Sequence, residues 1–337
     1  MPNDYNETAS DQDVTPASSS QDEASVKAGM CKASIYQDKP FTADFSEAVL
    51  QLQEALGLKL WVLIQNGGNH FGDLNSRICQ GFNAQKNAIK KDEKVGLLVH
   101  SPGGSAGDAY KIARLFQRRT NEFYTIVPLY AKSAATLLSL GGKEIIMGSE
   151  AELGPLDVQM YDDDKEDYDS ALNAVQSLER LNAYALSAFD QAMFLFLSRT
   201  GKKAEIVMPM AMQYATSMVK PLVEKIDTIE LTKKSRELKV AEDYAIRLMR
   251  QNYNARDYER IADALVSKYS THSFVIDRAE AGKGNSMGRP QSSASNALNL
   301  GLNVMLPNDI VEDLFARIAT ELWSVTAIGQ IIEVDDE

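Results

Sequence analysis

Residues 97–116 read LLVHSPGGSAGDAYKIARLF, and residues 127–148 read VPLYAKSAATLLSLGGKEIIMG. In both, a short apolar run hands over to a helical pattern, and the residues at the handover are unusual. In the first stretch, Pro102 sets φ for a tight turn, while Gly103 and Gly104 can adopt positive φ and bare the backbone. The turn carries no G-x-G-x-x-G, and no G-K-[ST] follows it, so the common phosphate cradles do not fit. What remains is a set of backbone N–H groups able to face an oxyanion. In the second stretch, Ser133 has two readings. Serine is a favoured helix N-cap. A hydroxyl at a helix start also sits among N–H groups that favour negative charge, which suits a nucleophile. The surroundings are not G-x-S-x-G, so this is not the nucleophile elbow of an α/β-hydrolase.

Working outward, LKLWVLI (58–64) reads as a buried strand ending at NGGN, and KVGLLVH (94–100), FYTIVPL (123–129) and EIIMG (144–148) read as three more. Helical patterns lie between them, with Phe45, Val49, Leu52 and Leu56 marking one ahead of the first strand. Short apolar strands alternating with helices predict β-α-β units and a parallel sheet covered on both faces. After about residue 160 no further strand is expected. Leu172, Val175, Leu178, Leu181, Ala185, Phe189, Met193 and Phe196 advance by three or four, giving a long helix with one apolar face that ends at Gly201. More helical patterns cover 204–220, 222–251 and 255–268, and Ile310, Leu314, Ile318 and Leu322 mark a last helix. The expected organisation is a disordered acidic tail over 1–40 and an α/β core over 41–160. A helical projection for oligomerisation follows over 161–270, then a carboxyl-terminal part over 271–337 with a mobile loop at 281–296.

Composition narrows the function. The 337 residues are 44% hydrophobic, enough for a sizeable core, and the formal net charge of −12 argues against a nucleic-acid footprint. No stretch has the apolar length of a membrane span, and the acidic start lacks the features of a secretory signal. Cys31 and Cys79 make neither a disulfide framework nor a four-ligand zinc site. The expectation is a cytoplasmic protein needing no metal or cofactor, without nucleic-acid or membrane partners.

The segments 97–116 and 127–148, followed by AELGPLDVQ (151–159), resemble the serine dehydrogenase proteinase family, a branch of the Clp-protease/crotonase fold. The resemblance is dense over roughly 94–160, thins across 215–250, and returns at KYSTHSFVI and LGLNV. It implies a Clp/crotonase-like β-α-β spiral core with a long-helix projection and further carboxyl-terminal helices. It also implies a serine endopeptidase acting on peptides or unfolded proteins, assembled as a homo-oligomer. Carried over to this chain, Ser133 becomes the nucleophile, and the N–H groups of Gly104 and Ala134 the oxyanion hole. Asp157 and His272, the latter in a Thr-His motif, complete the triad, with Gly103 and Ser105 beside the substrate. The chemistry needs these types. A serine hydroxyl is a weak nucleophile until an imidazole takes its proton, and a carboxylate holds that imidazole in the right tautomer. His70 and His100 are read as a loop residue and a strand-end residue, and Lys132 as no base, since neighbouring side chains at a helix start diverge. Two alternatives stay open: a Ser-Lys dyad using Lys220 or Lys225, and a non-catalytic oligomeric scaffold. The insertion DRAEAGKGNSMGRPQSSASNA after His272 departs from the family pattern.

Overall fold

The computed structural model describes residues 30–162, 167–282 and 299–334. From the amino end, β1 (Met30–Ala33) and β2 (Tyr36–Gln37) precede α1 (Ala43–Leu56). Thr42 caps α1 by accepting the Phe45 N–H, and Gly57 ends it in the left-handed conformation. Then come β3 (Lys59–Ile64), α2 (Ser76–Ala84), β4 (Lys94–His100), α3 (Ala106–Arg119), β5 (Glu122–Val127) and β6 (Tyr130–Ala131). They are followed by α4 (Ala134–Ser139), β7 (Ile145–Met147) and β8 (Glu152–Leu153). A two-stranded ribbon, β9 (Gln159–Asp162) with β10 (Asp167–Ser170), leads into α5 (Ala171–Thr200). Next are α6 (Ala204–Val223), α7 (Thr228–Met249) and α8 (Ala255–Ser267). The chain closes with β11 (Ile276–Asp277), α9 (Arg278–Ala281), β12 (Val304–Met305), α10 (Asp309–Leu322) and β13 (Ala327–Val334).

The protein is a mixed α/β molecule built on a central sheet of order β1-β13-β3-β4-β5-β7-β12. β3, β4, β5, β7 and β12 run parallel, while β13 lies antiparallel to β3 and β1 antiparallel to β13. Side-chain alternation sorts each strand onto two faces. Trp61, Leu63, Val95, Leu97 and Val99 join the cluster packed under α2, α3, α7 and α8. Leu60, Val62, Ile64, Leu98 and Ile126 join the opposite cluster with α1 and α10. Burial on both faces is why these strands read as unbroken apolar runs.

Two sequence expectations are corrected. Strands do not stop near 160. β13, AIGQIIEV, sits inside the sheet with Ala327 opposite Ile64, and β12 extends the far edge. Gln330, Glu333 and the Gly329 break hide β13 from a pattern search, and its pairing is non-local. Residues 30–40 are not tail either, because β1 and β2 hydrogen-bond to β13. Residues 1–29 of the expected tail, and all but the first two residues of the expected loop 281–296, lie outside the described residues.

At the carboxyl ends of the parallel strands a second small sheet forms, β6 parallel to β8 and β11 antiparallel to β8. It brings the chain around 272 beside the chain around 133. In the helical half, α5 packs on α6, and the buried residues there include Ala188 and Ala192 on α5 and Val207, Ala211 and Ala215 on α6. Among the described residues no helix is long and apolar enough to cross a membrane.

Candidate active site

Ser133 is the only non-glycine residue with positive φ among the described residues, at φ 50° and ψ −119°. Such a conformation costs on the order of 1–3 kcal/mol and persists where surrounding structure imposes it. The N-cap reading fails here, because the Ser133 side chain makes no cap hydrogen bond. The restraints are visible. Lys132 N–H donates to Ser101 C=O at 3.0 Å, and Ala135 N–H donates to Lys132 C=O at 2.8 Å. Buried Thr136 donates its hydroxyl to Ala131 C=O at 2.6 Å and accepts the Gly154 N–H at 3.0 Å, so one side chain joins the serine segment to the following loop.

The glycine turn packs directly on this serine. Gly103 has φ 108°, and a Cβ there would stand 2.9 Å from Ser133 Cβ and 3.1 Å from Ala134 N. Gly104 has φ 134°, and a Cβ there would meet Leu74 O at 2.3 Å. Both positions therefore demand glycine, for backbone angle and for space. Ser101 braces the turn: its hydroxyl donates to Gln65 Oε1 at 2.8 Å and accepts the Gly103 N–H at 3.1 Å. Leu74 takes the next groups, donating its N–H to Gly103 C=O and accepting the Ser105 N–H, each at 2.7 Å. Ser105 Oγ caps α3 by accepting the Asp108 N–H. The polar groups of Gly103 and Ser105 are thus engaged within the fold. The N–H groups of Gly104 and Ala134 have no acceptor among the described residues.

Asp157 is 3% exposed, and its Oδ1 accepts the Leu172 N–H at 3.2 Å. Its loop is tied to α8, where Leu156 N–H donates to Leu265 C=O at 2.8 Å. His272 Nδ1 lies 4.0 Å from Asp157 Oδ2, buried and without a hydrogen-bond partner. Aspartate and histidine, 115 positions apart in the chain, therefore face each other about 1 Å beyond hydrogen-bond length. Ser133 and His272 make no hydrogen bond to one another.

The remaining basic candidates sit elsewhere. His70 is exposed on a turn. His100 is fully buried, edge-on to Tyr130 and Trp323, and burial pushes its imidazole down to about 3. Lys132 pairs with Glu152 at 2.8 Å. Lys220 is exposed on α6 and pairs with Glu224 at 3.7 Å, and Lys225 is exposed as well. Sequence reasoning missed Ser101, Thr136 and Gly154 as the residues that hold the site. Only Ser101 carried a signal, its place in the glycine turn.

A model of the ClpP-like SDH-type serine proteinases matches residues 83–249. This stretch, 167 of the 337 residues, is similar to that family. Ser133, Asp157 and both glycines of the turn lie within the matched stretch, whereas His272, β12 and β13 lie beyond it. Two relatives come from Methanocaldococcus jannaschii. Uncharacterized protein MJ0137 is 41% identical over 73 residues, 22% of this chain and 26% of that protein. Uncharacterized protein MJ1495 is 36% identical over 70 residues, 21% of this chain and 24% of that protein. The matches thus span about a quarter of these relatives' length.

Proposed function

We propose that the protein is a serine peptidase that hydrolyses peptide bonds of peptides or unfolded proteins, with Ser133 as nucleophile. One observation carries this: a serine imposed at φ 50° without a capping role, next to two backbone N–H groups that have no acceptor among the described residues. In this reading Ser133 Oγ attacks the carbonyl carbon while its proton passes to His272 Nε2. The carbonyl π pair moves onto oxygen, and Gly104 and Ala134 N–H donate to that oxyanion. Collapse expels the amine, which takes the proton from the imidazolium. Water then repeats the sequence to free the acid and restore the serine. Asp157 orients the Nδ1–H and stabilises the imidazolium. The 4.0 Å approach supports this role, since catalytic hydrogen bonds are often long before substrate binds.

The central sheet with its small second sheet is read as a Clp/crotonase-type spiral core, and the α5–α6 hairpin as its projection and the contact of a homo-oligomer. The test is labelling by a fluorophosphonate. Wild-type protein should be labelled at Ser133 and hydrolyse an unfolded polypeptide, and Ser133→Ala should lose both. Turnover at the wild-type rate in Ser133→Ala sinks the assignment, whereas an active His272→Ala beside an inactive Lys220→Ala or Lys225→Ala replaces the triad with a Ser-Lys dyad.

A further inference from the structure

The turn that carries His272 has little backbone support. Between α8 and β11 it folds on itself through one described backbone hydrogen bond, from Phe274 N–H to Thr271 C=O at 3.2 Å. Its position comes instead from the side chains at its two ends. Tyr269 is buried, and its ring lies 4.8 Å from that of Phe274, tilted by 45°. The Tyr269 hydroxyl donates to Glu280 Oε1 at 3.0 Å. Glu280 is itself held in place. Its N–H donates to Asp277 Oδ1 at 2.8 Å, and its C=O accepts the Leu300 N–H at 2.9 Å. Burial raises both the Tyr269 phenol and the Glu280 carboxyl above their usual ranges, and the bond between them is half-buried.

We propose that Tyr269 and Glu280 are positioning residues for His272: their hydrogen bond, with the Tyr269–Phe274 ring pair, sets where the imidazole stands against Asp157. This rests on the reading of His272 as the base. The relevant distance is the 4.0 Å between Nδ1 and Oδ2, where a shift of a few tenths of an ångström makes or breaks a hydrogen bond. Phenylalanine at 269 keeps the ring contact and removes the donor. Glutamine at 280 keeps an oxygen to accept from Tyr269, whereas alanine does not.

The experiment uses the full chain and two readouts. The first is the imidazole NMR titration, tractable because the protein has three histidines. Tyr269→Phe and Glu280→Ala should move the resonances and titration midpoint of His272 and leave those of His70 in place. The second is peptide hydrolysis, where both variants should lose kcat by about 10- to 100-fold with KM little changed, and Glu280→Gln should stay near wild type. Glu280→Ala serves alone if Tyr269→Phe does not fold. An unmoved His272 signal with wild-type kcat, in a background where His272→Ala is inactive, overturns the proposal while the function stands. Full turnover in His272→Ala overturns the underlying reading, and this proposal with it.

Discussion

Helices α1 and α6 are both rich in apolar residues and end in opposite situations. α1 buries Phe45, Val49 and Leu52 completely against the sheet and α10. α6 buries only Val207, Ala211 and Ala215, leaving Met208, Met210 and Met212 about half exposed. Its neighbour α5 leaves Phe194 75% exposed. The stripe expected to make an oligomer contact, 172–196, is in part consumed inside the chain, where Phe196 meets Tyr214 of α6 edge-on. Among the exposed large apolar side chains of the hairpin are Leu186, Phe194, Ile206 and Met212. The core satisfies itself, while the hairpin leaves apolar side chains exposed. In the proposed reading, chemistry belongs to the first region and assembly to the second.

That division can be broken or sharpened by four measurements. The largest effect is expected at Asp157. Asp157→Asn keeps an oxygen for Leu172 N–H but not the carboxylate that, in the proposed triad, fixes the histidine tautomer, so peptide turnover should fall about 10⁴-fold. A loss under tenfold in steady-state assays would detach Asp157 from the chemistry. Next comes Gly103→Ala. Its Cβ would press on Ser133 Cβ and Lys132 O, displacing the turn, so kcat should fall about 10²- to 10³-fold, the cost of a lost oxyanion donor. Unchanged fluorophosphonate labelling would show that the turn and the serine are independent.

The third measurement concerns stability. His100 has no hydrogen-bond partner on either ring nitrogen, and its folded pKa of about 3 lies below the unfolded value of 6.5. Between those values the unfolded chain binds the proton and the folded one does not. The stabilising contribution is therefore full above pH 6.5 and declines as pH falls toward 3, by about 1.4 kcal/mol per pH unit. Urea midpoints at pH 7 and pH 5 should show that slope in wild type and a shallower one in His100→Phe, which fills the aromatic site without a titrating group. Identical slopes would remove His100 from the account.

The smallest effect on the fold is expected at the hairpin. Phe194→Glu with Met212→Gln should shift monomer stability within about 0.5 kcal/mol, as exposed substitutions do. The same pair should lower the mass seen by light scattering and leave hydrolysis of a small ester unchanged. If the ester activity disappears, assembly and chemistry are not separable.

The alternating strands and helices of 58–148 were legible because each strand is buried on both faces and each covering helix is short and local. β1 and β13 were not, because their apolar content is interrupted and their pairing joins the two ends of the chain. In the candidate site, the glycine turn and the serine stood out as backbone signals. His272 came only from a family resemblance, since a histidine in a polar turn has no local pattern of its own.

The β-α-β order, the glycine turn and the serine at the helix start are readable locally, because these depend on neighbours a few residues away. Only the tertiary structure decided that Ser133 is strained rather than capping, and that Leu74 and Ser101 take up the turn's other polar groups. It alone decided that β8 and β11 carry Asp157 and His272 toward each other. Those outcomes depend on hydrogen bonds and packing between segments far apart in the chain. No local pattern encodes such a distance. It is set when the second sheet closes over the ends of the first.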